Sequence, residues 1–292
     1  MSDAAKTPKR FQGMTVLVTG ATSGIGREAV AQLAGAGARV LVHGRARERV
    51  DAVVRDLRAT GADDAVGLVA DLASLAEAAR LAGDARAAAG GAIDVLVNNA
   101  GVGFGQDRKR RELSRDGFEL RFAVNYLAPF VLGHQLLAHG APARAAINVA
   151  SVGQAPIDLD DLQSTHGYDG VGAYCKSKLA LIMLTLDWAA DRPAVACNSL
   201  HPGTYLDTGM VRDSGITPLG PASRGADAIL GVLGASLDDR LSGQYFDEQR
   251  PTRAHAQAYD AGVRRRLHEL TLELVGPFVG PFLGPVLPAS NP

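Results

Sequence analysis

The sequence predicts an α/β fold built on one doubly wound parallel sheet of about seven strands flanked by helices. Three observations carry that reading. Short apolar runs alternate with helix-like segments up to about residue 250. The first of these runs passes through a glycine-rich turn directly into a helical pattern. The 292 residues are 47% hydrophobic and 21% charged, enough for one large core or two small ones. No stretch reads as an interdomain linker and no internal repeat is visible, so a single sheet is the economical answer. The expected division is an N-terminal extension over 1–12, the sheet domain over 13–250, and a C-terminal helix with an apolar tail over 251–292.

Taken in order, residues 14–18 (Met-Thr-Val-Leu-Val) read as a buried strand, and Arg27 to Leu33 as a helix. Between them Gly20, Gly24 and Gly26 are spaced Gly-x3-Gly-x-Gly. Strand, glycine turn and helix open a dinucleotide-binding βαβ unit, in which the backbone approaches a pyrophosphate and the helix N-terminus supplies free N–H groups. An ordinary glycine-rich turn is the alternative. The second strand, Arg39 to His43, ends at Gly44-Arg45. No acid stands there to take ribose hydroxyls; Arg45, Arg47 and Arg49 do. A guanidinium suits a 2′-phosphate, so NADP is expected over NAD. The other reading, solvated charges at a helix start, runs mildly against the helix dipole.

Further along, Tyr174 and Lys178 stand four residues apart in an apolar-periodic segment running through Leu179, Leu181, Ile182 and Leu184. At helical spacing they share a face. A nearby ammonium favours phenolate and lowers a phenol from its usual value of about 10, making it a usable proton donor or acceptor. A solvated helix face would give the same spacing.

Together these segments resemble the short-chain dehydrogenase/reductase family over about residues 12–250, which implies a Rossmann fold. Gly20, Gly24 and Gly26, with Thr22, Ser23 and Ile25 between them, match the family's cofactor loop. Asp71-Leu72 is similar to its adenine-contacting pair. Asn98-Asn99-Ala100-Gly101 after Ile93 to Val97 is similar to its fourth-strand signature, so that Asn98, Ala100 and Gly101 join the cofactor contacts. Asn125 matches the helix asparagine of the catalytic tetrad, and Ser151, after Ile147 to Ala150, matches its serine. Pro202-Gly203 matches the turn beside the nicotinamide, and Ser242 to Phe246 the last strand.

The resemblance implies hydride transfer between nicotinamide and a carbonyl or alcohol carbon. Tyr174 would exchange the proton and Ser151 would orient the oxygen. Lys178 would lower the tyrosine pKa and, with Tyr174, contact the cofactor. Asn125 would tie Lys178 to a proton-relaying water chain. The stretch from Ile157 to Leu181 resembles the branch of retinol dehydrogenase-like and WW-domain-oxidoreductase-like proteins. That branch has a longer insert between serine and tyrosine, here expected to wall the substrate site. The family's assembly through the helices carrying Asn125 and Tyr174 makes a homodimer or homotetramer an open option. A catalytically silent NADP(H)-binding redox sensor is the alternative function; such proteins usually lose the tyrosine–lysine pair. A sugar-nucleotide epimerase would need more chain after the last strand.

Other classes are disfavoured. Net charge is −1 with no long basic block, so no nucleic-acid footprint is expected. The His and Cys residues are too scattered for a metal set. The two cysteines, Cys175 and Cys197, read as reduced. The polar N-terminus lacks a signal-peptide core and no apolar run is regular enough for a membrane span, so a cytoplasmic protein is expected. The substrate is expected to be small and hydrophobic, set by loops 154–172 and 203–221, the latter closing as a lid. Arg108 to Arg111 either attract an acidic substrate or solvate their loop, with solvation favoured. After Ala261 to Val275, three Gly-Pro pairs over 276–285 block a regular helix yet are apolar. That tail is expected as an extended cover over the cleft or against a partner, with a mobile tail as the alternative.

Overall fold

The computed structural model describes residues 10–279. In chain order its elements are β1 (Thr15–Val18), α1 (Gly24–Gly35), β2 (Arg39–Gly44), α2 (Arg47–Ala59), β3 (Val66–Val69), α3 (Leu75–Ala89), β4 (Val95–Asn98), α4 (Leu120–Phe122), α5 (Ala128–Leu137) and β5 (Ala145–Val149). There follow α6 (Gly170–Asp191), β6 (Ala196–His201), α7 (Gly209–Asp213), α8 (Ala222–Asp238), β7 (Gln244–Asp247), β8 (Arg250–Thr252) and α9 (Ala261–Val279). The strand order is β3-β2-β1-β4-β5-β6-β7-β8. The first seven pair in parallel and β8 runs antiparallel to β7.

The sheet therefore has eight strands where about seven were expected. β8 is three exposed residues, Arg-Pro-Thr. It is too short to alternate, and its proline fits only an edge. The central strands are buried on both faces, which explains their unbroken apolar runs. Side chains still divide by the period of two. Leu17, Leu41 and Leu96 enter the core under α3, α5, α6 and α9. Val16, Val18, Val40, Val42, Val95 and Val97 enter the core under α1, α2 and α8. Strand order reverses between β1 and β4, which opens a crevice at their carboxyl ends, the place such sheets use for ligands.

Two boundaries differ from expectation. The substrate loop was expected over 154–172, but α6 begins at Gly170, capped by Asp169, whose carboxylate accepts from the Gly172 N–H at 2.8 Å. The C-terminal helix does not stop at Val275; it continues through Gly276-Pro277 to Val279. Packing carries it past the proline: Val275 is fully buried and the Phe278 ring meets Phe118 at 6.1 Å. Gly276 to Phe278 are thus helix and not extended chain, while the other two Gly-Pro pairs lie outside the described residues.

α9 lies across α3, α5 and α6. Thr271 Oγ1 and Tyr126 Oη share a buried hydrogen bond of 2.8 Å, and Arg264 Nε donates to Asp187 Oδ1 at 2.7 Å. Among the described residues no helix is long and apolar enough to cross a membrane.

Candidate active site

The glycine turn between β1 and α1 sits at the crevice. Gly20 has φ +66°, and a Cβ there would lie 2.8 Å from Ala100 Cα. A Cβ at Gly26 would lie 2.4 Å from both Gly20 O and Asn99 Nδ2. Strand, turn and helix could not close this tightly around larger residues. Thr19 completes the lock: its hydroxyl accepts from the Asn99 and Ala100 N–H groups at 3.0 and 3.1 Å. Asn99 Nδ2 in turn donates to Thr19 O and Gly20 O.

Ser23 is the N-cap of α1 but spends no side-chain bond on its own helix, and the first turn, with Gly24, Ile25 and Gly26, carries no acid. Free N–H groups and a favourable dipole remain for an anion. At the end of β2, Arg45 is exposed and has no carboxylate partner among the described residues. Thr22 is close by, its methyl 2.4 Å from where a Gly44 Cβ would stand. These residues fit a pyrophosphate and a 2′-phosphate.

Three of the expected cofactor residues have side chains engaged within the chain. The Asn98 side chain turns into the sheet, 2% exposed, and donates to Asn148 Oδ1 at 2.8 Å. It offers no side-chain group to the crevice; the neighbouring Asn99 does the locking. The Leu72 side chain belongs to the core. The Asp71 carboxylate accepts from the Ala73 N–H at 3.0 Å and pairs with Arg115 at 3.2 Å. Alternation along β4 and its extension explains the Asn98 result, since neighbouring side chains face opposite ways.

His43 was not singled out by sequence, yet it braces this end. Its Nδ1 accepts from the Gly20 N–H at 3.3 Å, and its Nε2 faces Ala70 O at 3.1 Å. Those partners fix a neutral ring protonated on Nε2. Burial pulls its pKa down to about 4, against the weaker pull of the Ala70 bond.

The four catalytic candidates come together. Tyr174 and Lys178 lie one turn apart on the buried face of α6, 9% and 3% exposed. Lys178 Nζ is 5.7 Å from the Tyr174 ring centroid and donates to Val149 O at 2.8 Å. Burial pulls the ammonium down to about 8. Burial likewise pushes the Tyr174 phenol above its ordinary value, and the hydrogen bond with Ser151 offsets this only in part. In the chain itself desolvation sets the net direction of the phenol, against the lowering expected from Lys178.

Asn125 lies in a π-helical turn, Ala123–Leu127, between α4 and α5, a distortion common at functional sites. Its Oδ1 accepts from the Val102 N–H at 2.8 Å, and its Nδ2 donates to Val102 O and Ser177 Oγ. Gly101 fills the gap between Asn125 Oδ1 and Lys178 Nζ, 3.1 and 3.4 Å from its Cβ position. Pro202 and Gly203 are buried at the end of β6.

Around this centre the walls are fastened. Phe104 stands edge-on to the Tyr174 ring at 4.9 Å, and the Arg108 guanidinium lies 5.8 Å from Phe104. The basic run thus reaches the mouth at Arg108, while Arg111 Nε donates to Gln163 O in the insert. Buried Arg121 pairs with Glu112 and Glu119, and Tyr168 of the insert donates to Glu119. The insert is also tied to the C-terminal segment by two bonds between Ile157 and Gln257.

Residues 14–217 match the family model described as short chain dehydrogenase. The chain belongs to the short-chain dehydrogenase family. A Streptomyces sp. (strain C5) protein, named as a candidate daunorubicin C-13 ketoreductase, is 35% identical over 90% of this chain and 93% of its own length. Human retinol dehydrogenase 13 is 34% identical over 94% of this chain and 88% of its own length. A short-chain dehydrogenase of Escherichia coli CFT073, solved in complex with NADPH, superposes with a TM-score of 0.66 at 26% identity. It covers 83% of this chain and 99% of its own. This short-chain dehydrogenase is thus a member of an oxidoreductase family, on the retinol dehydrogenase-like side of it.

Proposed function

We propose that this short-chain dehydrogenase reduces a carbonyl group on a small, largely apolar substrate, with NADPH preferred over NADH and Tyr174 as general acid. The observation that carries the reading is the buried Tyr174 hydroxyl, bonded to Ser151, with Lys178 one helical turn on. A phenol whose pKa is raised keeps its proton through neutral pH, as an acid must. The opposite direction needs the deprotonated form and is favoured only at alkaline pH.

When bound, the cofactor supplies the hydride to the carbonyl carbon. The chain does the rest. Ser151 Oγ, which accepts from the Gly153 N–H at 3.0 Å, donates to the substrate oxygen and polarises it. Tyr174 Oη passes its proton to that oxygen as negative charge develops there. The Lys178 ammonium then stabilises the phenolate left behind until a solvent proton replaces the one spent. Phe104 and the exposed Val152 give the reacting carbon an apolar surround. Ser23, the α1 N-terminus and Arg45 support the cofactor assignment, Arg45 through its charge toward a 2′-phosphate.

The test is NADPH consumption against a panel of aldehydes, ketones and quinones with Tyr174→Phe beside the wild type. Turnover is expected to fall by at least about a hundredfold in the variant, the scale of a lost proton donor, with NADPH binding retained. Equal rates in both proteins would remove Tyr174 from the mechanism. Tight NADPH binding without reduction of any carbonyl would favour the sensor reading.

A further inference from the structure

Beside Ser151 the carboxyl end of the sheet holds a cavity of about 320 Å³ that is broadly open to solvent. One side is Val152 and Gln154; the other is Tyr245 and Asp247 of β7 with Thr252, Arg253 and His255. This is the low end for small-molecule sites, which span about 300–1,000 Å³. It takes one ring or a short polar chain, not a whole substrate.

The cavity is attached to the reacting centre. Tyr245 Oη donates to Ser151 O at 2.9 Å, and Gln154 Nε2 donates to the same oxygen at 3.0 Å. Gln154 Oε1 accepts from the His255 N–H at 2.7 Å, closing the far wall onto the near one. Val152 follows Ser151 and is 59% exposed. A substrate oxygen bonded to Ser151 and Tyr174 therefore has one open neighbour in this direction.

The wall opposite Val152 is polar and of both signs. Register sets Thr252 against Tyr245 and Arg250 against Asp247. Arg253 lies 4.5 Å over the Tyr259 ring, which holds its guanidinium plane and leaves its N–H edges for other partners. Asp247 Oδ2 already accepts from Arg250 Nη2 at 3.3 Å, and an alkyl end lodged here would take that pair and Arg253 from water with nothing in exchange. An anion would meet the Asp247 carboxylate. A neutral hydroxylated group can donate to Asp247 and accept from Thr252 and Arg253 at once.

We propose that this cavity binds the remote, hydroxyl-bearing end of the substrate, a group of about one sugar ring joined to the apolar part that carries the carbonyl. The proposal rests on the carbonyl-reductase reading above and extends it. The test compares two ketones with NADPH: 4-acetylphenyl β-glucoside and 4-(cyclohexyloxy)acetophenone. They share the reacting group and differ in the remote ring. Wild-type kcat/KM is expected to favour the glucoside by about tenfold, the scale of a hydrogen bond made or stranded. Thr252→Val and Arg253→Met, both at exposed positions, are each expected to remove most of that preference, by lowering kcat/KM for the glucoside and leaving that for the cyclohexyl ketone equal or raised.

Equal or reversed preference in the wild type overturns the proposal, as does an equal loss on both ketones. Should neither ketone turn over, calorimetric titration of each into the enzyme with NADPH decides. Tighter glucoside binding that Arg253→Met abolishes sustains the cavity's role and sinks the reaction instead; equal binding sinks the cavity's role.

Discussion

Lys178 shows how a single residue can be legible in sequence and still be governed by its surroundings. Its spacing from Tyr174 was plain, but its depth was not, and depth sets the proton affinities of both groups. The folded-state pKa of Lys178 is lowered to about 8 from 10.5. Below pH 8 the native state carries the full cost of a buried ammonium. Between pH 8 and 10.5 the unfolded chain holds the proton and the native chain does not, so that cost is relieved as pH rises. Lys178→Met is therefore expected to be more stable than the wild type at pH 7 by about 1–2 kcal/mol, after allowing for the donor lost to Val149 O. The gap should narrow by pH 10. Urea unfolding at both pH values checks this; a less stable variant at pH 7 refutes it. His43 and Asn99 belong at this scale too. Neither stood out in sequence, because a histidine closing a β-strand or one asparagine of a pair has no distinctive spacing. Each acts through bonds to a turn some 23 or 79 residues away.

At the scale of elements, the segment from Gly203 to Pro221 is seated, not loose. Leu206 is 2% exposed and bridges to Gly220, and the Thr208 methyl lies 3.0 Å from the Gly24 Cβ position. Thr208 also caps α7. On its other flank Met210 lies over Gly103, with its Cγ 2.6 Å from where a Cβ would stand. The segment thus touches both the glycine turn and the β4 loop, as a lid over the crevice must. Gly103→Ala is expected to push Met210 away and lower kcat/KM by about tenfold, the usual cost of overpacking. Adding Met210→Ala should restore activity to the level of Met210→Ala alone. A double variant as poor as Gly103→Ala would show that the contact does not seat the lid. Sequence raised this segment as a candidate lid from its composition and position, but nothing in it pairs residue 103 with residue 210.

Across the whole molecule, α9 matters most. It buries Leu267, Thr271 and Val275 against helices that include α5 and α6. Those helices are continuous with Asn125 and Tyr174, where the family resemblance placed a subunit interface. With Phe130 near His268 and Asp187 paired to Arg264, that face is already occupied by the chain itself. The expected solution mass is that of one 30.4 kDa chain. Light scattering checks it, and a dimer whose mass falls when Tyr126→Ala is introduced would overturn it. The cost of uncovering this face, several large apolar side chains at about 1.5–3 kcal/mol each, makes displacement of α9 by a second subunit unfavourable.

The local pattern of residues was enough for the order of strands and helices and the glycine turn, and it nominated the four candidate catalytic positions that the fold brings together. Apolar periodicity and the demands of a turn act over a few residues and leave their mark in the sequence. The eighth strand, the course of the helix through Pro277 and the inward turn of Asn98 were settled by packing between distant segments. So was the rise in the Tyr174 pKa, because desolvation depends on everything that surrounds a group and not on its neighbours in the chain. The cavity beside Ser151 has the same origin: its walls come from the loop after β5, from β7, and from β8 with the chain that follows it, about a hundred residues apart in sequence, and only the folded sheet brings them together.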